Sequence, residues 1–214
     1  RLCLRLALDH PELVHALVLV SASPGIADAA ERARRVASDE ALAREVERDG
    51  VDAFITRWLA QPMFAGVRPD APGVRERAEL TAAFVATCLR VLGAGAMEPM
   101  WDGLDQLAMP VALVTGARDA KYDAIATSMI ERMRTGVLHL RLEGGHALPQ
   151  EQPAQLAEFV SVFERSPRAT RADLAAAVVL GQPRWRRQFL DGVSADPVLE
   201  AVANLDPDEF QSWL

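Results

Sequence analysis

Two stretches decide the fold of this chain: Val111-Ala112-Leu113-Val114-Thr115-Gly116-Ala117-Arg118-Asp119 and Leu138-His139-Leu140-Arg141-Leu142-Glu143-Gly144-Gly145-His146. Each runs from an apolar segment of strand length into a turn that contains glycine. A third apolar segment, residues 16–20, ends in a Ser-Ala-Ser-Pro-Gly turn. Continuous apolar runs are typical of strands that helices cover on both faces, whereas the alternation over 137–142 predicts a strand near a sheet edge.

Helical patterns separate these strands. Because strands and helices alternate, we predict a parallel α/β sheet with right-handed crossovers. The region 27–92 is too long for a single crossover, so we interpret part of it as an inserted helical cap. The expected helices cover residues 1–9 (apolar nearly all round, hence buried), 27–92 with breaks at Gly50, Pro62 and 69–72, 124–134, and 153–163.

The pattern changes after residue 164. Residues 1–164 are expected to form the α/β domain, and residues 165–214 a linker and a small helical appendage of unassigned role. The tail mixes Arg184, Trp185 and Arg187 in one short segment, which we interpret as a packed helical segment rather than a nucleic-acid surface.

Composition excludes several classes of function. A net charge of −7 with half of the residues hydrophobic is ordinary for a globular protein and disfavours non-specific nucleic-acid binding. No apolar run reaches the roughly 18 residues that span a bilayer. The net charge does not exclude an anionic small-molecule substrate, because a local arginine cluster can reverse the field inside one pocket. We expect a cytoplasmic protein, a monomer or weak homo-oligomer, that uses no metal or cofactor.

Asp119 and His146 carry the chemical signal. Each follows its strand by four residues, and the carboxyl ends of parallel strands meet at one rim of the sheet. A carboxylate and an imidazole placed there can complete a Ser-His-Asp triad, in the chain order of an α/β-hydrolase. Taken alone, Asp119 also fits a turn aspartate that bonds its own backbone.

The serine of such a triad is missing from the chain. No Gly-x-Ser-x-Gly turn is present, and the sequence opens at Arg1 within a helical pattern, so we expect the nucleophile upstream of residue 1 and an inactive isolated chain. Ser21 and Ser23 follow a strand but lack flanking glycines. The other histidines, including His139 on a strand face, are not paired with a carboxylate at a plausible spacing.

The segments Gly116–Tyr122 and Gly144–His146 resemble the α/β-hydrolase superfamily. Within it, residues 1–164 are similar to the synthases that make 2-succinyl-6-hydroxy-2,4-cyclohexadiene-1-carboxylate for menaquinone. The cap segments 30–35, 57–64 and 93–101 carry the finer resemblance. The fold this implies is the C-terminal part of an α/β-hydrolase with a helical cap.

The resemblance implies a lyase reaction in which the triad removes a proton and pyruvate leaves. The substrate of that family carries three carboxylates, so its pocket needs cations, and arginine binds carboxylates bidentately. The residues implied to bind substrate are Arg1, Arg32, Arg35, Trp58 and Arg77.

Several of these residues also have an ordinary structural interpretation. Arg32 and Arg35 can instead belong to a solvated, salt-bridged helix face, with Glu31–Arg35 and Glu40–Arg44 as pairs, and Trp58 can be a core aromatic. Arg77 is one position out of register with the family's arginine. Two other functions stay open: a serine esterase on the same fold, and a non-catalytic binding protein.

Overall fold

A computed structural model describes residues 1–68, 70–71, 73–74, 79–134 and 137–165 of the chain. The described strands form one parallel sheet in the order β1-β2-β3. Its strands are β1 (Leu17–Val20), β2 (Val111–Gly116) and β3 (Val137–Leu142). The described α-helices are α1 (Leu2–Asp9), α2 (Ala29–Asp49), α3 (Val51–Leu59), α4 (Ala82–Leu92), α5 (Ala120–Ile130), α6 (Leu148–Glu151) and α7 (Pro153–Arg165). Short 3₁₀ helices cover Pro11–Leu13, Pro62–Phe64 and Trp101–Gln106.

The sheet is packed on both faces, as its sequence predicted. All six residues of β2 are buried, which fits its central position, whereas β3 alternates between buried and half-buried residues. Leu138, Leu140 and Leu142 pack with Phe159 and Phe163 of α7 on one face. The opposite face is covered by α1, α5 and the 3₁₀ helix Trp101–Gln106. This layering fixes the directions in which the turns after β2 and β3 leave the sheet.

The cap is built from α2, α3 and α4. α2 begins at Asp28, whose carboxylate accepts a hydrogen bond from Glu31 N at 2.7 Å, and ends at Gly50, whose φ of 86° favours glycine. The breaks expected at Gly50 and Pro62 are therefore present. Arg90 of α4 bonds Glu40 and Glu47 of α2, which joins the two long cap helices at the surface.

Two expectations about helices were wrong. α1 is not buried all round: Leu4 and Ala7 face the core, but Leu2 is 57 % and Leu6 45 % exposed, because only one side of the helix packs on the described sheet. The helix expected over 124–134 begins earlier, at Ala120, since Asp119 serves as its N-cap.

None of the described helices combines the length and apolar character needed to cross a bilayer. The tail beyond residue 165, for which the sequence predicts a helical appendage, lies outside the described residues.

Candidate active site

The turns that leave β2 and β3 are bonded to each other. Ala117 N donates to Leu142 O at 2.8 Å, and Arg118 N donates to Gly144 O at 2.9 Å. Gly116 makes this approach possible, because a Cβ at that position would lie 2.1 Å from Gly145 O. The Asp119 turn and the His146 turn therefore form one rigid unit at the rim of the sheet.

This unit brings Asp119 and His146 into contact. His146 Nδ1 donates to Asp119 Oδ2 at 2.8 Å, with the histidine side chain 19 % and the aspartate 8 % exposed. The other carboxylate oxygen of Asp119 faces Tyr122 N at 3.4 Å, so the helix-capping role and the histidine contact coexist. Because Nδ1 is the donor, Nε2 of the neutral ring is left to accept a proton.

Glu151, for which the sequence predicts no role, fixes the turn that carries His146. Its side chain is 3 % exposed, and its carboxylate accepts from Gly145 N at 2.8 Å and from Ala147 N at 3.3 Å, on either side of His146. Arg118 bonds the same carboxylate at 2.9 Å. The signal in the sequence was weak: one acid in a turn rich in proline and glutamine, five residues after His146.

The chain is similar to known proteins in sequence and in fold. The 2-succinyl-6-hydroxy-2,4-cyclohexadiene-1-carboxylate synthase of Serratia proteamaculans (strain 568) is 31 % identical over 170 residues, covering 73 % of this chain and 64 % of the relative. A Bacillus subtilis (strain 168) protein that bears the same name with a provisional qualifier is 30 % identical over 168 residues, covering 76 % and 61 %. The structure of MenH from S. aureus superposes with a TM-score of 0.73 at 24 % identity, over 79 % of this chain and 65 % of that one. No family model matches the chain.

The structural match shows that the described part of the chain has an α/β-hydrolase fold. The chain spans slightly less than two thirds of the length of these two curated relatives.

Two cavities meet beside His146 in this α/β-hydrolase domain. The cationic cavity, of about 810 Å³, has Arg1, Arg34, Arg35, Lys121 and Arg132 in its lining, together with Asp28, Glu31 and Asp102. The aromatic cavity, of about 380 Å³, is lined by Phe54, Trp58 and Phe64 among mainly apolar residues of the cap. The imidazole contacts one ring from each: Tyr122 of the cationic cavity at 4.3 Å between centroids, and Phe64 of the aromatic cavity at 6.0 Å.

Arg1 and Arg35 line both cavities. Arg1 donates through Nη2 to Leu92 O at 2.6 Å, while its buried Nε has no partner among the described residues. Arg35 is held by Asp39, at 2.8 Å and 3.0 Å, and not by Glu31 as the helix spacing suggested. The carboxylate of Asp39 is nearly fully buried, so the pair fixes the guanidinium at the junction of the two cavities.

Of the other residues implied to bind substrate, one lines a cavity, one lines neither, and one lies outside the described residues. Trp58 lines the aromatic cavity and stacks between Phe54 and Phe64, at 5.5 Å and 5.8 Å. Arg32 lines neither cavity, because its Nη1 donates to the carbonyls of Ile26 and Ala27. Arg77 lies outside the described residues.

The expectation that His139 has no carboxylate partner was wrong. Its Nε2 lies 2.9 Å from Thr115 Oγ1 and 3.3 Å from Asp123 Oδ1, and Arg141 also bonds Asp123. Burial alone raises the pKa of Asp123, but Arg141, Thr115 and His139 outweigh it and hold the pKa below its usual value. The cluster lies on the α5 side of the sheet and ties β2 and β3 to that helix.

Neither serine after β1 forms a hydrogen bond with His146 in the described part of the chain. Ser23 Oγ accepts from Gly25 N at 3.0 Å. Ser21 has a φ of 41°, and its buried Oγ has no partner among the described residues.

Burial, and secondarily the charge of Asp119, raise the pKa of Tyr122, so its phenol stays neutral beside the histidine. The described residues contain no group of three or more His, Cys, Asp or Glu side chains arranged to hold a metal ion.

Proposed function

We propose that this chain is part of a lyase that makes 2-succinyl-6-hydroxy-2,4-cyclohexadiene-1-carboxylate in menaquinone biosynthesis by eliminating pyruvate. The observation that carries the proposal is the 2.8 Å contact between His146 and Asp119, with the imidazole against one ring of a cation-lined cavity and one ring of an aromatic cavity. The relatives named as this synthase supply the choice of reaction.

The proposed chemistry is a proton transfer coupled to bond cleavage. The base, His146 oriented by Asp119, takes a proton from a substrate carbon through Nε2. The electron pair left on that carbon forms a new C=C bond as a C–O bond breaks, and the leaving group departs as the enolate of pyruvate, which takes up a proton on carbon to give pyruvate. Asp119 fixes the histidine tautomer and stabilises the imidazolium that forms.

The surroundings of the histidine suit an anionic substrate. Arg1 and Arg35 lie at the junction of the two cavities, where a carboxylate near the reacting carbon can be bound bidentately. Trp58, with Phe54 and Phe64, offers an apolar wall for the uncharged part of the substrate. Neither feature is needed by a general esterase that acts on neutral substrates.

The test is pyruvate release by the full-length protein, measured with lactate dehydrogenase and NADH on the pathway intermediate. We expect turnover of this intermediate and slow hydrolysis of nitrophenyl esters. His146→Ala should lower kcat roughly 10²–10⁴-fold, the usual contribution of a positioned general base. Efficient ester hydrolysis without pyruvate release would favour the esterase, and ligand binding without turnover would favour the non-catalytic binding protein.

A further inference from the structure

One wall of the cationic cavity is a single stripe of helix α5 and the turn after it. Its lining residues Lys121, Ile125, Ser128 and Arg132 are spaced four, three and four residues apart, which places them on one face of the helix. Lys121 comes two residues after Asp119 and immediately before Tyr122, so it lies at the histidine end of the stripe. Arg132 lies at the far end.

Arg132 is held in place without a carboxylate partner among the described residues. Its guanidinium lies over the ring of Trp101, 5.0 Å from the centroid, and Nη1 donates to Ser128 O at 2.9 Å. Trp101 is itself fixed, since its Nε1 donates to Gly25 O at 2.9 Å. An arginine backed by an aromatic ring and tied at one nitrogen presents its remaining donors in a fixed fork.

The cations of this wall differ from most arginines elsewhere on the described surface. Those generally have a carboxylate partner, as in the pairs Arg5–Asp9, Arg44–Glu40, Arg48–Asp49, Arg68–Asp70, Arg118–Glu151 and Arg141–Asp123. By contrast, neither Lys121 nor Arg132 forms an ion pair within the part of the chain that the structure describes. Asp102, which also lines the cavity, is not within ion-pair distance of either.

We propose that Lys121 and Arg132 form a second carboxylate-binding wall of the substrate site, separate from Arg1 and Arg35. The two residues are eleven positions apart, roughly 16 Å along the helix at 1.5 Å per residue. Because lysine and arginine side chains are long, their charged groups can lie closer together than this backbone separation, but a single carboxylate does not bind both, so the wall selects molecules that carry two or more carboxylates. Lys121 binds the carboxylate nearer to His146, and Arg132 binds the one at the far end.

The natural ligand of this wall depends on the proposed function, but carboxylate binding by Lys121 and Arg132 can be tested without turnover. The probe is tricarballylate, a simple tricarboxylate, and the comparison ligand is butyrate, both titrated calorimetrically into the full-length protein. We expect Lys121→Gln and Arg132→Gln each to weaken tricarballylate binding about 5- to 30-fold, the range for losing a hydrogen bond to a charged group. Arg132→Lys, which keeps the charge but loses the planar fork, should fall in between. Butyrate binding should change less than 3-fold.

Arg134→Gln is the matched control, because Arg134 is exposed, has no described ion pair and does not line the cavity. It should change tricarballylate binding less than 2-fold. Equal losses in the Arg132 and Arg134 variants would overturn the wall, since they would reflect net charge alone. Unchanged binding in the Lys121 and Arg132 variants would also overturn it.

Turnover separates this proposal from the assignment of the reaction. If pyruvate is released and both wall variants leave KM unchanged, the wall is refuted while the lyase stands. If no pyruvate is released but the variants lose tricarballylate binding as expected, the wall stands and the reaction assignment fails. If both hold, the variants should raise KM with kcat nearly unchanged, because their contacts lie away from the transferred proton.

Discussion

Glu151 offers the sharpest test of how the histidine turn is held. Its buried carboxylate accepts hydrogen bonds from the backbone N–H groups of Gly145 and Ala147, one on each side of His146, and bonds Arg118 next to Asp119. It also faces the cap, because a Cβ at Gly66 would lie 2.0 Å from one of its oxygens. Replacing it therefore disturbs both triad turns at once.

The cost of Glu151→Leu follows from these contacts. Two backbone donors lose their acceptor, at roughly 1–3 kcal/mol each where water cannot replace it. The Arg118 pair adds about 0–1 kcal/mol, since that guanidinium is 61 % exposed. Allowing for partial entry of water, we expect the free energy of unfolding to fall by about 2–4 kcal/mol. Glu151→Gln keeps one acceptor and should lose about half as much.

Urea denaturation of the full-length protein measures the loss, read from the midpoint at constant m-value. Glu143→Gln is the control, because Glu143 is an exposed acid in the same turn and should cost less than about 0.5 kcal/mol. Imidazole ¹⁵N shifts give a second readout that general destabilisation does not move. In the folded Glu151→Leu variant, His146 should lose its single Nδ1–H tautomer, and Glu151→Gln should largely restore it. If Glu151→Leu is as stable as the parent and keeps that tautomer, the positioning role is refuted.

Two further substitutions test the rim and the cluster behind it. Gly116→Ala should destabilise the fold by several kcal/mol and lower pyruvate release, because its Cβ would meet the carbonyl of Gly145 and force the two turns apart. Thermal unfolding measures the loss of stability, and the coupled lactate dehydrogenase assay measures the loss of activity. A stable, active variant would contradict this prediction. Asp123→Asn should cost about 0.5–1.5 kcal/mol at pH 7, from its bonds to Arg141 and Thr115. Because folding depresses the pKa of Asp123, its contribution is present above the unfolded pKa of about 3.9 and is lost as pH falls through the lower, folded value. Urea unfolding between pH 7 and pH 3 should show the gap between parent and variant closing at the acid end, and a gap that widens there would contradict the assignment.

The sheet could be predicted from the sequence because its signals are local. Apolar runs located all three strands within a residue, and the alternation over 137–142 identified a strand with one half-exposed face. Glycine and proline marked the ends of the cap helices for the same reason: Gly50 takes a φ of 86°, which other residues avoid. The contact between Asp119 and His146 followed from parallel pairing, which brings strand ends to one rim.

The partners of the site residues could not be predicted, because they are set by tertiary contacts that the spacing of residues along the sequence does not reveal. Helix periodicity places Arg32 and Arg35 on the same face of α2. In the structure, Arg35 lines both cavities and is held by the buried Asp39, whereas Arg32 donates to the backbone carbonyls that precede the helix. The sequence indicates no role for Glu151, because only the folded turn places the N–H groups of Gly145 and Ala147 around its carboxylate. His139 was expected to lie alone on a strand face, and its partner Asp123 comes from α5, across the layer.

The two cavities argue against neutral esters as substrates. Both cavities are lined by Arg35, whose only described ion-pair partner is Asp39, and by Arg1, whose buried Nε has no described partner. A neutral ester would displace water from these guanidinium groups and offer no charge in return, at a cost of about 1–3 kcal/mol for each donor left unpaired. A polycarboxylate satisfies the same donors. Under the proposed function, we therefore expect the cation-lined cavity to favour anionic over neutral substrates, although the net charge of the protein is −7.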